Sequence, residues 1–103
     1  MSILTNIDIP QASIDDICQQ HHVRQLALFG YVLRNDFTDE SDIDILVAFE
    51  QHQTPGFFGL LALQEQLSGV FQRRVDLSTL KFIHPSLRER IVAQAQVIYD
   101  GEF

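Results

Sequence analysis

Ser41-Asp42-Ile43-Asp44-Ile45-Leu46-Val47-Ala48-Phe49-Glu50 alternates strictly between two kinds of side chain. Successive strand residues point to opposite faces, so Ile43, Ile45, Val47 and Phe49 share one side and Asp42, Asp44, Leu46 and Ala48 the other. The first side is wholly apolar. The second is acidic at its start and apolar after it, the pattern of a central strand covered on both sides whose first turn opens onto a site. The Cα atoms of same-face neighbours lie about 6.5–7 Å apart, so Asp42 and Asp44 can hold a divalent cation between them. Magnesium suits such a pair, because it takes oxygen ligands and is usually shared between a few carboxylates and substrate phosphates. An Asp-x-Asp pair is also common on solvated strands, and its surroundings have to decide between the two readings.

Upstream, Val23 to Phe29 is short, apolar and extended and stops at Gly30, as a buried strand ending in a tight turn would. A glycine there can let backbone N–H groups approach a phosphate, although most such glycines only make turns. Tyr31 to Asp36 reads as a turn or short helix. Before the strand, Ile14, Ile17, Cys18 and His21 recur at helical spacing within Ile9 to His22. Pro10 suits its first turn, and Ser13 with Asp16 offers an alternative capping box.

Downstream, Gln51 to Gly56 is a polar loop with a Pro-Gly stop, and Leu60, Leu63, Leu67, Val70 and Phe71 predict a helix. Arg73 to Leu77 predicts a short strand. His84 to Ala95 predicts a last helix, with Pro85 at its start and Leu87, Ile91 and Ala95 inward. Val97 to Tyr99 adds an edge strand. The order implies one small α/β domain spanning residues 1–103, with a mixed sheet of three or four strands flanked by helices. Strand directions stay open. Asp76, on the strand after the second helix, can bring a third carboxylate beside Asp42 and Asp44 if the two strands are neighbours, about 4.8 Å apart. Three converging acids repel one another and so imply a cation.

Composition bounds the function. Hydrophobic residues make up 46% and charged residues 20% of the chain, ordinary values for a globular domain. Its formal net charge of −7 argues against direct nucleic-acid binding, which relies on Lys and Arg neutralising phosphates. No apolar run approaches the roughly 18 residues of a membrane helix, and Met1 to Pro10 does not read as a secretory signal. A cytoplasmic protein is therefore expected. The single cysteine, Cys18, reads as core filler, and the four histidines show no zinc spacing and read as surface or capping residues. Arg34, Arg73 and Arg74 are candidate phosphate partners, though adjacent Arg73 and Arg74 must point to opposite faces of a strand. Phe57 and Phe58 read as core or partner-interface residues.

Leu28-Phe29-Gly30, Arg34, Ser41 to Val47 and Arg74-Val75-Asp76-Leu77 together resemble the minimal nucleotidyltransferases of the DNA polymerase β superfamily, over nearly the whole chain. The resemblance implies the polymerase β-like nucleotidyltransferase fold. It also implies that Gly30 and Tyr31 belong to a nucleotide-binding phosphate loop ending at Arg34, and that Asp42, Asp44 and Asp76 are both the catalytic and the Mg2+-binding carboxylates. Transfer of a nucleoside monophosphate, AMP from ATP, to a hydroxyl of a partner protein follows from the same resemblance. The partner would be a HEPN-type toxin, with this chain as its antitoxin; self-association is left open. Tyr31 departs from the family's serine after the glycine, and Asn35 stands where many members have a second glycine. A binding subunit with impaired chemistry that masks its partner is thus the alternative reading, and a small-molecule nucleotidyltransferase, which would call for more chain, a third.

Overall fold

A computed structural model of the protein describes residues 7–30 and 42–101. Helix α1 (Gln11–Gln20) leads into strand β1 (Val23–Phe29), followed by β2 (Ile43–Phe49), α2 (Phe57–Phe71) and β3 (Val75–Ser78). A short 3-10 turn (Leu80–Phe82), α3 (Pro85–Gln94) and β4 (Gln96–Asp100) complete the order. The sheet runs β3-β2-β1-β4, so β2 is an interior strand. It lies antiparallel to β1 and parallel to β3, while β1 and β4 are antiparallel. The mixed four-stranded sheet is thus the one the order of elements anticipates, with the strand of the alternation inside it. The parallel β2–β3 pair follows from α2, a crossover long enough to return the chain in the same direction.

The apolar side of β2 is the floor of the core. Ile43, Ile45 and Val47 pack with Leu26 and Leu28 of β1, Ile14 and Cys18 of α1, and Leu63 and Leu67 of α2. The residues predicted to face inward from α1 and α2 therefore do so, because both helices lie on that face. Pro10 sits at the entry to α1, and no side chain caps that helix, so the Ser13–Asp16 alternative is not used. Histidines take local roles: His84 caps α3 by accepting from the Ser86 N–H, and His22 makes the left-handed turn into β1, with φ +58°.

One expectation fails in part and another is narrowed. Helix α3 buries none of its residues and leaves Leu87 44% exposed, so the predicted inward stripe covers the second face of the sheet only in part. Phe57 and Phe58 are 72% and 81% exposed and pack edge to face on each other, which removes the core reading for them. Both follow from α2 and α3 having no third layer above them: helical periodicity reports an apolar stripe but not what stands opposite it. Among the described residues no helix is long and apolar enough to cross a membrane.

Helix side chains finish the sheet edges. The outward N–H groups of β3 donate to α2: Val75 to Ser68 Oγ at 3.1 Å and Leu77 to Gln64 Oε1 at 3.0 Å. At the opposite edge Gln11 Nε2 donates to the Ile98 carbonyl at 2.7 Å.

Cys18 is fully buried, and loss of hydration, helped by the nearby Asp15 charge, pushes its thiol from 9.0 up to about 12. A raised folded-state value stabilises the fold below the unfolded thiol's value and is lost as pH climbs through the folded one. Stability should therefore fall progressively between about pH 9 and pH 12. Urea midpoints across that range, compared with those of Cys18→Ala, would check it: the alkaline slope should be shallower in the variant.

Candidate nucleotide and metal site

The site is built where β1 ends and β2 begins. Asp42 immediately precedes β2 and is exposed, and Asp44, its same-face neighbour, is half-buried. The parallel ladder pairs Asp44 with Asp76 of β3, and Ile43 with Val75, a register fixed in part by the Ile43 N–H donating to the Arg74 carbonyl at 2.9 Å. Paired residues of neighbouring strands stand about 4.8 Å apart with side chains on one face. Two carboxylates 32 positions apart in sequence (76 − 44) are thereby brought side by side.

On the other flank, Phe29 of β1 pairs with Asp44, and Gly30 follows with φ +75°. That left-handed backbone is readily open only to glycine. Space demands glycine as well: a Cβ on Gly30 would run into the Asp44 carboxylate, with Asp44 Cγ only 3.2 Å away. Gly30 thus brings the end of β1 tightly against the acid, where backbone and a carboxylate can meet one ligand. A polyphosphate carrying a divalent ion has both required charges.

The donor set is all oxygen, which fits a hard cation such as magnesium rather than a thiolate- or imidazole-seeking one. Among the described residues no three His, Cys, Asp or Glu side chains are grouped closely enough to hold an ion unaided. The three aspartates therefore share a sheet end and face without forming a closed cage. A magnesium site completed by substrate phosphates and water has the same character. Arg74 is exposed just before β3, and Arg73 is half-buried beside it. Tyr31, Arg34 and Asn35, with the predicted turn or short helix at Tyr31 to Asp36, lie outside the described residues.

Sequence reasoning singled out Gly30 for its turn but had no signal for its approach to Asp44, which depends on the β1–β2 register. It also did not find the cavity that continues along the same face. Beyond Asp44 the open side of the sheet carries Leu46 and Ala48 of β2, Ala27 of β1 and Val97 of β4, and α3 covers them only loosely through Val92 and Ala95. The space enclosed is about 410 Å³.

The family model described as "Polymerase beta, Nucleotidyltransferase" matches residues 12–102, from α1 through β4. This chain belongs to the polymerase β nucleotidyltransferase family. Two Methanocaldococcus jannaschii proteins named as inferred protein adenylyltransferases are similar to it. One is 36% identical over 90 residues, spanning 87% of this chain and 95% of the relative. The other is 43% identical over 65 residues, spanning 63% of this chain and 65% of the relative, just under two thirds of that protein's length. Among solved structures, an inferred minimal nucleotidyltransferase superposes with a TM-score of 0.67 at 32% identity, covering 82% of this chain and 83% of the other. A chain from the complex of a tri-AMPylated Shewanella oneidensis HEPN toxin with an MNT antitoxin shares the fold, with a TM-score of 0.62 at 22% identity over 87% of this chain and 69% of the other. The expected polymerase β-like fold and the expected resemblance to the minimal nucleotidyltransferases both hold.

Proposed function

We propose that this domain transfers AMP from ATP to a hydroxyl of a HEPN-type partner protein and so serves as its antitoxin. The observation that carries the reading is the pairing of Asp44 with Asp76 beside the left-handed Gly30 turn. Family membership supports the reaction class, the adenylyltransferase names of its relatives support AMP, and the AMPylated toxin complex supports the acceptor.

In this reading Asp42, Asp44 and Asp76 would hold the magnesium, and Asp76 would also take up the proton of the acceptor hydroxyl. When bound, magnesium supplies charge neutralisation for the triphosphate and for the oxygen attacking it. Gly30 lets the chain pass close under the phosphates, and the sheet holds the carboxylates at fixed spacing. Most of the rate gain then comes from positioning and charge rather than from covalent chemistry. The proposed setting is cytoplasmic, where ATP is available.

A second reading, a binding subunit with impaired chemistry, is favoured by Tyr31, which replaces the small hydroxyl that the family motif carries next to the phosphates. Both are tested by incubating the purified protein with Mg-ATP and a HEPN-type protein from the same source and following that protein's mass. Transfer of one or more AMP groups is the expected result; no mass shift alongside tight partner binding would establish the masking role instead. If Tyr31 limits the chemistry, Tyr31→Ser should speed transfer roughly ten- to hundredfold, the worth of one recovered hydrogen bond to a charged phosphate.

A further inference from the structure

We propose that the apolar cavity beyond Asp44 is the seat of the nucleotide's base. The inference rests on the nucleotide site proposed above and adds to it where the nucleoside goes and why a purine would be held. In-line transfer at the α-phosphate needs the leaving pyrophosphate and the attacking hydroxyl on opposite sides of phosphorus. With Gly30 at the end of β1 and Asp76 on β3, that line runs across the strands, from the turn over Asp44 to the third carboxylate. The nucleoside has to leave at right angles to it.

Along the strand, the direction at right angles leads from Asp44 to Leu46, a two-residue step of about 6.6 Å, comparable to the ribose between α-phosphate and base. The surface changes character there. Leu46 pairs with Ala27, and Ala27 in turn with Val97, so the floor beyond the acids is apolar and made shallow by a small residue. Ala48 continues it, and Val92 of the loosely packed α3 stands over it. The resulting space of about 410 Å³ lies within the range of small-ligand sites, mostly apolar with a few polar groups for orientation. Lys81, exposed just after β3, also lines it and can donate to a ring nitrogen acceptor. A flat, largely apolar ring system with edge acceptors fits this chemistry, and the ring system of the proposed substrate is a purine.

The test compares Mg-ATP with magnesium and ribose 5-triphosphate, which keeps the sugar and phosphates but lacks the base, by calorimetry on the full chain. Expected is about tenfold tighter binding of ATP, an advantage lost when Ala48→Phe fills the floor while ribose 5-triphosphate affinity stays unchanged. Val92→Phe, on a helix that buries nothing, fills the same space from the exposed side and should act alike, guarding against misfolding of the first variant. Equal affinity of the two ligands for the unaltered protein would overturn the base assignment while leaving the phosphate and metal site standing. ATP binding unchanged by both variants, with AMP transfer to the partner lost, would also overturn it and give the cavity to the acceptor. Failure of both ligands to bind would overturn the nucleotide site and the cavity assignment together.

Discussion

Asp44→Asn is expected to lower AMP transfer about a thousandfold, the upper end of what losing one charge-stabilising group costs. Magnesium-dependent nucleotide binding should go with it. The substitution keeps size and shape and removes one negative charge from a sheet end that also holds Asp42 and Asp76, so the protein should still fold. Asp42→Asn should behave similarly. Metal makes a second readout: a cation that binds only the folded protein raises its stability by mass action, by about 2.7 kcal/mol at a hundred times its dissociation constant. The native protein should melt at higher temperature in millimolar magnesium and the Asp44→Asn protein should not. Nucleotide binding and a magnesium response that persist in both variants would remove the metal role from this pair.

Gly30→Ala is expected to lose stability and transfer at once, for two separable reasons. Holding an alanine at φ +75° costs about 1–2 kcal/mol in strain. The added methyl also meets the Asp44 carboxylate, which has to leave its place beside Gly30 to make room. Truncating the acid separates the two. In an Asp44→Ala background the nearest remaining atom is Asp44 Cβ at 3.4 Å, an ordinary contact, so only the backbone strain should remain. A double-mutant cycle read by urea unfolding should then show coupling above about 0.5 kcal/mol. A cycle that closes additively would mean the turn and the acid are independent, and Gly30 would be only a turn residue.

Much of this arrangement is legible in the chain because alternation over Ser41 to Glu50 specifies both a strand and its two faces, and a half-buried strand with acids at one end has few uses. The helix spacing at Leu63 and Leu67 is equally direct. Strand direction and register are not written in any local pattern, and the adjacency of Asp44 and Asp76 depends on both: the parallel pairing of β2 with β3 in this register sets those residues opposite each other. The Gly30–Asp44 approach is hidden for the same reason, being a consequence of register. Helix α3 misleads because Leu87 and Ile91 repeat as a buried stripe would, while the helix meets the Ala27 and Ala48 face through Val92 and Ala95 across a space instead of a packed layer. That space lies along the strand face that carries Asp44, beginning at Leu46.

The side chains that reach the two margins of the sheet also govern how this protein can meet others. Ser68 and Gln64 already occupy the outward N–H groups of Val75 and Leu77, and Gln11 occupies the carbonyl of Ile98. An extended segment from another chain would find those positions taken, which blunts strand addition and the edge-to-edge polymerisation that open sheets invite. Association is thereby steered away from backbone pairing and toward side-chain surfaces, where identity, shape and charge of the partner can be discriminated.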